Sequence, residues 1–160
     1  MDRERMLGWI GGQPTRGRLL EWVRATGVPA WLVGGTVRDA LLERPSVDLD
    51  LVVDGNALQL AQRAANHFGG AFVPLDAERD FGRVVLRVGN QHLHLDLAGL
   101  RAADITADLW ARDYTVNAMA VTLDERLALL DPAGGRADLQ ARRLRVVRDD
   151  AFPSDPLRVL

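Results

Sequence analysis

Cysteine is absent from this 160-residue chain, which excludes disulfides, thiolate metal centres and a cysteine nucleophile. Lysine is absent too, so all 20 basic residues are arginine. The bland reading of that preference is codon bias in a GC-rich genome. A functional reading coexists with it, because a few planar guanidinium groups suffice to grip phosphates bidentately. No apolar run approaches the roughly 20 residues of a membrane span. Residues 1–5 are charged and no apolar segment follows them, so no secretory signal is expected and a cytoplasmic protein is. A strong excess of charge of one sign is lacking as well. With 22 acidic against 20 basic residues the net charge is −2, which argues against indiscriminate electrostatic binding of nucleic acid.

What remains is 48% hydrophobic, enough for one well-cored domain. Thr15 is placed to cap a helix that runs through Leu19, Leu20, Trp22 and Val23 and stops at Gly27. An apolar strand over 30–33 ends in Gly34-Gly35, and a helix over 37–42 follows. A second strand covers 49–53. Asn56 caps a helix with apolar residues at Ala57, Leu60, Ala61, Ala64 and Phe68, closed by Gly69-Gly70. Strands are expected over 71–75, 83–88 and 91–97, the last two joined at the Gly89-Asn90 turn. In that hairpin Val84, Leu86, Val88, Leu93, Leu95 and Leu97 form the core side, and Arg83, Arg87, His92, His94 and Asp96 the polar side. Residues 106–120 read as helix, 127–130 as a short strand and 131–135 as a loop. Asp155-Pro156 looks like the opening of a further helix. The expected organisation is a helical extension over 1–27, a main domain over 28–150, and the start of another helix over 151–160. The four tryptophans, Trp9, Trp22, Trp31 and Trp110, read as packing residues rather than a stacking platform.

The chemistry lies in an ordered series: strand, Gly34-Gly35, a helix carrying Arg38, then Asp48-Leu49-Asp50 at the start of a strand. Two glycines let backbone N–H groups approach a phosphate without a Cβ in the way. The helix behind them turns its positive end toward that anion, and Arg38 lies about one turn in. In a strand Asp48 and Asp50 project together while Leu49 points to the core. Two adjacent carboxylates repel unless a cation joins them, and magnesium accepts such ligands together with water and phosphate oxygens. A pair of such ions favours in-line attack of a hydroxyl on an α-phosphate. Asp96 is a candidate third carboxylate. His92, His94 and Asp96 also form a His-x-His-x-Asp pattern, although solvated hairpin faces commonly look the same.

Trp31-Leu-Val-Gly-Gly-Thr-Val-Arg-Asp-Ala-Leu-Leu42 with Asp48-Leu-Asp50 resembles the signature of the class II tRNA nucleotidyltransferase and bacterial poly(A) polymerase family. The resemblance continues through Asp108-Leu-Trp-Ala-Arg-Asp-Tyr-Thr-Val-Asn-Ala-Met-Ala120, Asp131-Pro-Ala-Gly-Gly135 with Asp138-Leu139 and Leu144-Arg145, and Asp155-Pro-Leu-Arg158. It implies an α/β fold, a polymerase-beta-like nucleotidyltransferase palm of mixed β-sheet with helices packed on one face. It implies that Asp48 and Asp50 hold two magnesium ions, and that Gly34, Gly35, Arg38 and Arg112 meet the triphosphate of CTP or ATP. Asp113 and Asn117 would organise the site, Asn117 near the ribose. Asp155 and Arg158, on a neck helix beginning near 151, would read the base edge, and they stand three apart, on one face of such a helix. The implied reaction adds CMP or AMP to the 3′ end of tRNA.

Two departures from the family pattern matter. Ala111-Arg112 stands where the family has two arginines. Only 97–107 separates Asp96 from Asp108, where many CCA-adding members carry a longer loop, and that shortening favours CC addition. The alternatives are a poly(A) polymerase acting on other RNA 3′ ends, and a nucleotide- or RNA-binding head without turnover. A small toxin-type nucleotidyltransferase fits the size but not the Val37-Arg38-Asp39 and Asp155–Arg158 motifs.

Overall fold

Strand alternation decides which side of this protein is core and which carries polar groups. The computed structural model describes residues 2–150. Helices α1 (Asp2–Gly11) and α2 (Pro14–Ala25) precede β1 (Ala30–Val33), α3 (Gly35–Leu41), β2 (Asp48–Val53) and α4 (Ala57–Phe68). Then come β3 (Ala71–Asp76), β4 (Phe81–Val88), β5 (Gln91–Gly99), α5 (Ile105–Trp110) and a 3-10 turn at Thr115–Asn117. Strands β6 (Ala120–Thr122) and β7 (Leu129–Leu130) and helix α6 (Gly135–Gln140) follow. Among the described residues the strands form one seven-stranded sheet in the order β3-β4-β5-β2-β1-β6-β7. Only β2 and β5 run parallel; the other neighbours are antiparallel, so the sheet is mixed.

Leu32, Leu49, Leu51, Val53, Val84, Leu86, Leu95 and Leu97 all point to one face and are buried there with α1–α4. Each such leucine contributes roughly 1.5–3 kcal/mol of transfer free energy. Helix α4 closes over β4 and β5 with Leu60, Ala61 and Ala64 inward. Its ends are held by local chemistry. Asn56 Oδ1 accepts from Gln59 N at 2.9 Å, and Gly69 takes the left-handed turn at φ 70°. On the opposite face a smaller cluster joins Val33, Val52 and Ala120 to Ile105 and Leu109 of α5.

Several boundaries differ from the sequence expectation. Within the helical extension expected over 1–27, α1 was not read as a separate helix, because Gly8 and Gly11 lower its helix propensity; Met6 and Trp9, three apart, bury its inner edge. The cap of α2 is Gln13, whose side chain accepts from Arg16 N at 2.8 Å, and not Thr15. Pro14, with φ preset, takes the first turn.

The largest correction is at 106–120. The helix ends at Trp110, because backbone groups beyond it pair with a distant segment. Thr115 N donates to Arg145 O at 2.9 Å, Val147 N donates to Asp113 O at 2.7 Å, and Tyr114 bridges Val146. The strand near 127–130 shrinks to two residues, since Leu127 sits at φ 47° in the preceding turn. The loop expected at 131–135 leads into α6, whose first amides are capped by Asp131, at 2.6 Å to Gly135 N and 2.9 Å to Arg136 N.

Candidate active site

The polar side chains of β2 and β5 lie on the face opposite the main core. Leu49 is buried, and Asp48 and Asp50 turn outward on either side of it. The parallel register sets Asp50 beside Asp96 and Asp48 beside His94. Asp48 is exposed at the rim, and His94 Nδ1 lies 3.1 Å from its Oδ1. Asp50 is partly buried, and its backbone N–H donates to the buried Thr36 hydroxyl at 2.8 Å. Burial pushes the Asp50 carboxyl up to about 6; the neighbouring Asp96 and Asp48 carboxylates add to the rise, against the pull of Arg112 and Arg83. Like charges gathered on a desolvated surface carry an energetic cost that a cation would relieve.

Gly34 ends β1 at φ 59° and ψ −132°, a conformation that favours glycine. A Cβ there would stand 3.3 Å from Arg112 Nη1. Arg38 donates through Nη1 to Asn117 Oδ1 at 3.0 Å and through Nε to Asp39 Oδ1 at 3.2 Å. Arg112 Nη2 reaches Asp108 Oδ2 at 3.3 Å, and its buried Nε has no hydrogen-bond partner among the described residues. Gly34, Gly35, Arg38, Asp50, Asp96, Arg112, Asp113 and Asn117 line one cleft of about 490 Å³. Asp48 stands outside that lining. Because α3 has only seven residues, the positive potential here comes from the Arg38 and Arg112 guanidinium groups more than from a helix dipole.

Asp155 and Arg158 lie outside the described residues. His92, His94 and Asp96 share a strand face but go to different partners, His94 to Asp48 and Asp96 to Arg83. Among the described residues no group of three His, Cys, Asp or Glu side chains is gathered to hold an ion. The donor set that fits magnesium is therefore the Asp48–Asp50 pair completed by water and phosphate oxygens, which is how that ion is commonly bound.

Three participants escaped the sequence reading. Arg83 donates to Asp96 through Nε at 2.7 Å and Nη2 at 2.9 Å. Counting outward from the Gly89-Asn90 turn would have placed the two opposite each other. Thr36 carried no signal. Asp138 stood within a quoted motif but was given no role there; it accepts from Thr115 Oγ1 at 2.6 Å and from Arg145 Nε at 2.9 Å and so fixes the segment leading to Asn117.

With this geometry in hand, comparison with known proteins is informative. Residues 30–145 match the model of the poly A polymerase head domain. A CC-adding tRNA nucleotidyltransferase of Geobacter sulfurreducens is 44% identical over 156 residues, covering 98% of this chain and 35% of that protein. An A-adding tRNA nucleotidyltransferase of Aquifex aeolicus is 35% identical over 145 residues, 82% of this chain and 17% of that protein. Among solved structures, a Thermotoga maritima CCA-adding enzyme in complex with tRNA matches with a TM-score of 0.83 at 31% identity, covering 98% of this chain and 38% of that one. The chain thus spans about a third or less of the length of the curated relatives it matches.

Proposed function

The chain belongs to the poly(A) polymerase head-domain family, and from that premise we propose that it is the catalytic head of a tRNA nucleotidyltransferase. It transfers CMP, or AMP, from CTP or ATP to the 3′ hydroxyl of tRNA and releases pyrophosphate. The observation that carries this reading is the outward-facing Asp48–Asp50 pair, set beside a cleft that also holds Gly34, Arg38 and Arg112.

Asp48 and Asp50 would hold magnesium, which supplies charge neutralisation for the entering and leaving oxygens. Arg38 and Arg112 receive the triphosphate, and Asn117 holds Arg38 in place for it. Gly34 leaves the space that a side chain would take from Arg112. Asp155 and Arg158 read the base edge. The short connection from β5 to α5 and the likeness to proteins named CC-adding support CC addition. No described helix is long and apolar enough to cross a membrane; a cytoplasmic location for the reaction is part of the proposal and follows from its tRNA substrate.

The test is incubation with magnesium, tRNA ending before its CCA, and each nucleoside triphosphate singly. Two cytidines from CTP and nothing from ATP are expected. Repeated addition from ATP to any RNA would make this a poly(A) polymerase. Nucleotide binding without transfer would make it a binding head.

A further inference from the structure

Three carboxylates crowd the outer face of β2 and β5, and one of them is already spoken for. Arg83 and Asp96 oppose each other across β4 and β5, and the guanidinium fork occupies both oxygens of Asp96, one through Nε and one through Nη2. A guanidinium stays protonated at any working pH, and a two-point fork is among the strongest side-chain pairings. The pair is partly shielded, with side-chain exposures of 35% for Arg83 and 16% for Asp96, so water screens it only in part. Asp96 is nevertheless in direct register with Asp50, where it would otherwise complete a three-carboxylate site.

We propose that Arg83 is a positioning residue that withholds Asp96 from magnesium, leaving Asp48 and Asp50 as the only carboxylates that hold the ion. Arg83 also offsets one of the three negative charges. Without nucleotide, the remaining two match the first of the two expected ions, whereas a third free carboxylate would trap it more tightly. The outcome is a weak, exchangeable site, suited to an ion that arrives with a triphosphate. The inference rests on the magnesium reading of Asp48 and Asp50, and the experiment separates the two.

The whole chain, without nucleotide, is titrated with Mn2+ as a probe with the same taste for oxygen ligands, the free ion being followed by electron paramagnetic resonance. Asp50→Asn tests the underlying site and should weaken binding by a hundredfold or so, roughly the value of one charged ligand. If Asp50→Asn binds as the unmodified chain does, the metal reading itself falls.

Asp96→Asn and Arg83→Gln test the inference. Asp96→Asn should weaken binding only a few-fold, through the lost charge, because the carboxylate was not a ligand. Arg83→Gln should bind roughly tenfold more tightly, since it removes a cation and frees a carboxylate. Arg83→Gln combined with Asp96→Asn should return to the starting affinity. A merely structural role for Arg83 would weaken binding when lost, never strengthen it. Asp96→Asn as damaging as Asp50→Asn, or Arg83→Gln no tighter than the unmodified chain, overturns the proposal. Should Arg83→Gln fail to fold, Asp96→Asn decides the question by itself.

Discussion

Asp50 and Asp138 are the same side chain in opposite circumstances. Asp138 is buried to 3% exposure, yet Thr115 Oγ1 and Arg145 Nε donate to it and Arg143 stands 3.7 Å away. The Thr115 hydrogen bond, with Arg145 and Arg143 behind it, holds its carboxyl below the usual range. Asp50 is less buried, but its neighbours are carboxylates and its proton is held up to about 6. A satisfied carboxylate is a fastener, while a crowded one invites a cation. The sign of each shift therefore separates the paired carboxylate from the crowded one more sharply than burial does.

The contrast has opposite consequences for stability. Asp138, with its lowered folded value, contributes stability above the ordinary carboxyl value of 3.8, lost as pH falls through the folded value. Asp50 is raised, so its ionisation costs stability progressively as pH climbs from 3.8 to about 6, and the loss is constant above that.

The largest effect is expected at Asp50. Asp50→Asn should lower nucleotide transfer on the order of a thousandfold or more while leaving the melting temperature at pH 7 equal or higher. Rate assays and thermal melts on one preparation check both halves, and a destabilised Asp50→Asn would erase the contrast. Asp138→Asn should do the reverse, lowering the melting temperature by roughly 5–10 °C at pH 7. Melts across a pH series should show that gap closing below about pH 4, as the native carboxylate loses its advantage. The smallest effect concerns Arg38, which links the two regions through Asn117. Arg38→Ala should weaken CTP and ATP alike by roughly 1.5–3 kcal/mol in calorimetric titration. A loss confined to one nucleotide would show that Arg38 reads the base.

Legibility in the sequence followed the range of the interactions. The outward pair on β2 was readable because alternation is a property of successive residues, and the cap at Asn56 because its bond spans three. The end of α5 was not readable, because its competitors are 145–147, about thirty residues on, and local propensity carries no trace of them. Thr115 and Asp138 are 23 apart and meet only once α6 has packed against the 3-10 turn. Arg83 fell between these cases. Its partner was fixed by counting from a turn, yet its consequence for Asp96 needed the separate, parallel alignment of β5 with β2.

Gly135 illustrates how far a fault can travel from its origin. A Cβ at this position would collide with the carbonyl oxygen of Thr115, closer than any side chain can stand. Any replacement must lift Thr115, and Asn117 lies two residues further along the same turn with Arg38 hanging from its amide oxygen. In a random-mutagenesis screen, Gly135 would therefore be scored among the essential residues, with a phenotype of poor triphosphate capture. A geneticist mapping such hits would draw the active site too large, and would mistake a hinge pin for part of the blade.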